Sequence, residues 1–125
     1  MINDSKRNQQ AAARLCLKSR DEVFFIDLER TLYIQADDHY AHVYYVSGAH
    51  FMVPFSLGRI EELVIATLGA DSFMKRLGRK YVVNTRRVFS VNTVREQLLL
   101  ADDQGKTEAI HLPKLVLRDL IDMLT

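Results

Sequence analysis

The chain has 125 residues, a length that fits one domain and lets it bury roughly two-thirds of the surface its unfolded form exposes. Hydrophobic residues make up 48% and charged residues 26%, the balance of a globular protein, which excludes wholesale disorder. No apolar run approaches the roughly 20 residues of a spanning helix, and the start Met1-Ile2-Asn3-Asp4 has no apolar signal region, so a reducing cytoplasm is the expected compartment. The single cysteine, Cys16, excludes an internal disulfide and reads as a buried or idle thiol.

In chain order, residues 1–20 read as a basic N-terminal arm, with Ser5 to Ala13 forming a short helix or staying disordered, and residues 21–125 as the domain. Strand texture begins at Leu15 to Lys18, continues after a Ser19-Arg20-Asp21 turn at Val23 to Ile26, and resumes at Leu32-Tyr33-Ile34. Asp37-Asp38 marks a turn, because aspartate side chains bond nearby backbone. Tyr40 to Val46 and His50 to Val53 flank Ser47-Gly48-Ala49 as a hairpin that Pro54 ends. A helix over about 57–68 follows: Ser56 caps it, Leu57, Ile60, Val64 and Leu68 recur at helical spacing, and Gly69 stops it. Short strands come next at Tyr81-Val82-Val83, Val88 to Val91, Leu98 to Leu100 and Ala109 to Leu112, with the Asp102 to Lys106 turn before the last. Pro113 opens a second helix whose apolar face carries Leu117, Leu120, Ile121 and Leu124. Strands and helices do not alternate, so the fold class is mostly β with two short helices rather than a parallel α/β sheet.

Enzyme chemistry finds no footing. The five glycines are scattered and build no phosphate loop. His39 and His42 fall at a strand spacing that turns side chains to opposite faces, which suits shared metal ligation poorly. Asp37-Asp38 reads as a loop former and Glu61-Glu62 as helix solvation. The expectation is therefore no catalytic residue, no metal, no cofactor and no small-molecule substrate.

Charge is more informative in its distribution than in its sum of +1. Residues 1–20 carry +4, residues 21–70 carry −6, residues 71–95 carry +6 and residues 96–125 carry −3. The positive block holds Lys75, Arg76, Arg79, Lys80, Arg86, Arg87 and Arg95, and it makes a candidate anion-binding face. Arg79-Lys80 precede the apolar strand at Tyr81 and Arg86-Arg87 follow it, so a core-anchored strand presents cations at both ends. The alternative is that Arg86 and Arg87 pair with the acidic residues of 21–70.

The run Phe73-Met74-Lys75-Arg76-Leu77-Gly78-Arg79-Lys80-Tyr81-Val82-Val83-Asn84 resembles the signature of LytTR DNA-binding domains. Ile34 to Tyr40 resembles that family's first recognition loop, and Phe55-Ser56-Leu57 with Ile60-Glu61-Glu62-Leu63 resembles its helix. Val88 to Val91 and Ile110-His111-Leu112-Pro113-Lys114 fall where it has later strands and a final basic turn. The resemblance implies an elongated multi-sheet β fold and a bacterial transcription regulator, usually the output domain of a response regulator. Its loops would enter successive major grooves of double-stranded DNA over paired direct repeats, with a second copy on the adjacent repeat. By position, the base-contacting residues would be His39 or Tyr40, then Arg79, then Lys114. Lys80, Arg86 and Arg87 would be phosphate contacts, and Asn84 a turn cap. Stand-alone relatives are often paired with a small membrane inhibitor, which makes that kind of signalling partner an expectation to weigh. Gly78 replaces a common histidine and Lys80 a common serine, which keeps open an alternative: a protein-interaction module on the same fold that has lost DNA recognition.

Overall fold

A computed structural model describes residues 13–125. Among these residues ten strands make three antiparallel sheets. A two-stranded sheet joins β1 (Arg14–Lys18) to β2 (Val23–Asp27). A five-stranded sheet runs β5-β4-β3-β7-β6, from β3 (Thr31–Asp37), β4 (Tyr40–Tyr45), β5 (His50–Val53), β6 (Met74–Leu77) and β7 (Tyr81–Asn84). A three-stranded sheet, β10-β9-β8, uses β8 (Val88–Asn92), β9 (Gln97–Ala101) and β10 (Thr107–His111). Helices α1 (Leu57–Leu68) and α2 (Lys114–Leu124) complete the architecture.

The five-stranded sheet is central because both of its faces are covered. Strand alternation sends Ile34, Val43 and Val82 to one side, where they meet Leu15, Leu17, Ile26 and the Ile60 and Val64 stripe of α1. Tyr33, Leu77 and Val83 point to the other side, against Leu98, Leu100, Ile110 and the Leu117 and Leu120 stripe of α2. Two cores thus share one sheet. Asn84, only 1% exposed, ties the end of β7 to the start of β3: its amide donates to the Thr31 carbonyl at 2.9 Å, while its oxygen accepts the Arg86 N–H at 3.0 Å. That makes Asn84 the cap of the 3-10 turn Thr85–Arg87, the turn-capping role expected for it.

Local chemistry explains the helix ends. The Ser56 hydroxyl accepts the Arg59 N–H at 3.3 Å, and Gly69 leaves α1 with φ 89°. The Asp102 carboxylate accepts the Gln104 and Lys106 N–H groups at 2.8 and 2.9 Å, fixing the β9–β10 turn.

The strand expected at Leu15 to Lys18 forms as β1, inside the residues 1–20 grouped as the arm, and its Leu15 and Leu17 are fully buried. The helix expected over Ser5 to Ala13 lies, apart from Ala13, outside the described residues. Cys16 is exposed, because it alternates with those two leucines onto the outer face of β1, opposite Phe25. Met74–Leu77, which carries no strand alternation of its own, pairs with β7 as the edge strand β6.

Candidate nucleic-acid interface

Two of the three expected reading positions come together at one end of the central sheet. β3 lies between β4 and β7, so the turn that follows β3 and the turn that precedes β7 are neighbours. Gln35 faces Tyr81 across the ladder, and the Ala36 N–H donates to the Lys80 carbonyl at 2.8 Å. The first turn is the two-residue loop Asp38-His39, closed by the Asp37–Tyr40 pair. Asp38 takes φ 55°, which an aspartate tolerates in such hairpins, and the turn projects the His39 side chain at 88% exposure. Tyr40, 46% exposed, follows at the start of β4.

The second turn is Gly78-Arg79-Lys80, closed by Leu77 against Tyr81. Gly78 adopts φ 66°, where an L side chain is strained. Arg76 braces this turn from within: its guanidinium bonds Glu61 on α1 at 3.2 Å and donates to the Arg79 carbonyl at 2.9 Å. Glu61, expected to do no more than solvate the helix, therefore helps to shape the turn. Arg79 and Lys80 themselves are exposed, and among the described residues no carboxylate lies within ion-pair distance of either.

The third position, Lys114, opens α2 and is also exposed. The residues just before it, His111, Leu112 and Pro113, line with Val116 a cleft of about 430 Å³ whose other lining residues are Gly78 to Tyr81 of the second turn. Gly78 lies close to that segment, since a Cβ there would sit 3.7 Å from Leu112.

Arg86 and Arg87 are elsewhere. They follow β7, a strand's length from Lys80, at the opposite end of the sheet. The Arg86 guanidinium lies 4.3 Å from the Phe73 ring centroid, and Arg87 pairs with Asp103 at 2.8 Å. The acidic partner of Arg87 thus comes from the β9–β10 turn rather than from residues 21–70.

A polar and aromatic column backs the first turn. The Asp37 carboxylate bonds the His42 ring at 2.8 Å, and the other nitrogen of that ring meets His50 at 2.9 Å. Tyr44 stacks on His50 with centroids 4.3 Å apart and on Tyr33 at 4.4 Å, and Tyr33 meets Tyr81 edge-on at 6.1 Å. Burial, with the Glu108 carboxylate and the neighbouring Tyr44 and Tyr81, raises the Tyr33 phenol well above its ordinary range, so it stays neutral. The column runs from beside His39 to beside Lys80. His42 and His50 carried no expectation as a pair, because only the β4–β5 register, which sets Tyr44 opposite His50, brings them together. Among the described residues no group of three metal-ligating side chains forms, and no helix is long and apolar enough to cross a membrane.

A mostly β chain that places two cations without carboxylate partners, Arg79 and Lys80, on a tight turn at one end of a doubly covered sheet has the build of a DNA-binding domain. The comparisons agree. Residues 21–124 match the LytTr DNA-binding domain family, and the chain belongs to that family. Among solved structures it is similar to a LytTr DNA-binding domain from a Bacillus cereus protein named as a methyl-accepting/DNA response regulator. That match has 18% identity and a TM-score of 0.61, and covers 90% of this chain and 96% of the other. No curated protein matches the chain.

Proposed function

We propose that this domain binds double-stranded DNA sequence-specifically as a bacterial transcriptional regulator in the cytoplasm, reading major-groove bases of paired direct repeats. The supporting observation is the shared sheet end that carries His39, Tyr40, Arg79 and Lys80 on two bonded turns, with the segment that leads into Lys114, His111 to Pro113, lining the cleft beside the second turn. In this reading His39 or Tyr40 reads in the first loop, Arg79 in the second and Lys114 in the third. The planar fork of Arg79 suits the O6 and N7 atoms of guanine, whereas Lys114 offers a point charge and reads less strictly. Lys80 serves as a phosphate contact. Arg86 and Arg87, at the far end of β7 beside Phe73 and Asp103, would meet phosphates farther along the duplex.

Selection of bound duplexes from a random DNA pool at about 0.15 M salt tests the reading. Two similar motifs about 10 bp apart are expected, one for each of two copies on adjacent repeats. A folded protein that enriches no motif and leaves heparin below physiological salt would instead be an interaction module on the same fold.

A further inference from the structure

The turn between β8 and β9 entered the sequence reading only through Arg95, the last cation of the basic block, yet it is bonded to the third reading position. Asn92 pairs with Gln97 to close it, and the Asn92 side chain accepts the Arg95 N–H at 2.9 Å. Glu96 then takes φ 53°; it and Asp38 are the non-glycine residues in the left-handed region among those described. Its conformation is held by two contacts with the start of α2. The Glu96 carbonyl accepts the Leu112 N–H at 3.1 Å, and its carboxylate accepts the Lys114 N–H at 3.0 Å. Pro113 precedes α2 without supplying a side-chain cap, so the first free N–H of the helix is satisfied by a residue eighteen positions upstream. A carboxylate is also the favoured charge at a helix N-terminus. Arg95, on the same turn, is exposed, and among the described residues it has no ion-pair partner.

We propose that the β8–β9 turn is a fourth element of the DNA interface, in which Glu96 is a positioning residue for Lys114 and Arg95 is a phosphate contact beside it. The inference rests on the DNA-binding reading above and extends it. A backbone strained at Glu96 and tied by two bonds to the Lys114 segment fixes where the lysine leaves the surface. The same tether places the Arg95 charge on the stretch of backbone that flanks the bases met by Lys114.

The experiment uses the full chain and a duplex carrying the motif recovered by selection, with a random duplex of equal length beside it. Glu96→Ala should weaken the selected duplex about tenfold, the value of one charge-assisted hydrogen bond, and leave the random duplex nearly unchanged. Glu96→Gln keeps an acceptor and should restore most of the affinity. In a Lys114→Ala background, Glu96→Ala should cost nothing further, because its effect passes through the lysine. Arg95→Ala should weaken both duplexes alike and reduce the log–log salt slope by about 0.9. The Lys114 amide resonance should shift in Glu96→Ala without any DNA, which tests the tether alone. If Lys114→Ala weakens binding but Glu96→Ala adds its full loss on top, or if Arg95→Ala leaves the salt slope unchanged, the fourth element is overturned while DNA binding stands. If the wild-type chain enriches no duplex, the DNA reading itself falls and takes this inference with it.

Discussion

At the scale of single residues, Arg79 and Lys80 are adjacent and exposed but are given different work, which makes them the sharpest pair to separate. A guanidinium donating two bonds to one guanine discriminates against other bases, so Arg79→Ala should cost about 1–3 kcal/mol on the selected site and relax preference at one base pair. An ammonium meeting a phosphate sees no sequence, so Lys80→Ala should weaken selected and random duplexes equally. Fluorescence anisotropy titrations on both duplexes measure the difference, and equal losses for the two variants would remove Arg79 as a base reader. The exposed place of both residues at the start of an apolar strand was legible in the sequence, because the basic run sits against Tyr81-Val82-Val83. The separation of Arg86 and Arg87 from them was not legible. It depends on Phe73 and on Asp103, whose positions are set by strand pairing and by the β9–β10 turn.

At the scale of elements, propensity and periodicity located most of the fold. Helix α1 spans Leu57–Leu68 as its cap and stop residues indicate, and the hairpins around Gly48 and Gly105 fall where their turns do. The edge strand β6 escaped, because Met-Lys-Arg-Leu buries only its two ends and gains strand character from β7 rather than from its own pattern. The β6–β7 turn shows how an element carries function. A methyl group at Gly78 would meet only Leu112 at 3.7 Å, an ordinary contact, so the cost of Gly78→Ala is conformational. The left-handed φ of 66° sets that cost at about 1–2 kcal/mol, read as a lowered midpoint in urea unfolding. The affinity of the variant for the selected duplex should fall more than its affinity for random DNA, since the turn can relieve strain only by moving Arg79. A variant that loses stability while keeping full discrimination would show that the turn tolerates such movement.

At the scale of the whole molecule, the central sheet makes two cores answer to one another. Val82 and Val83 are neighbours in β7, yet Val82 packs with Ile60 and Val64 while Val83 packs with Leu98 and Leu117. Alternation alone predicts opposite faces for them. That each face meets a full core was hidden from the sequence, because it depends on where the two outer sheets fold back. A turn-and-strand reading sees short β segments but not which side each one covers. The consequence is cooperative unfolding. Neither core can be lost without exposing one face of β3 and β7, whose ladder and buried Asn84 hold the other face in place. Val82→Ala and Val83→Ala should each cost about 1–3 kcal/mol, the scale of a buried valine. Both should lower one common transition rather than split it. Methyl resonances of Ile60 report the first core and those of Leu117 the second. In either variant the two should disappear at the same urea concentration. A midpoint that shifts for Ile60 alone in Val82→Ala would mean that the cores melt separately, and that the end of the sheet bearing the reading turns rests on one core rather than on both.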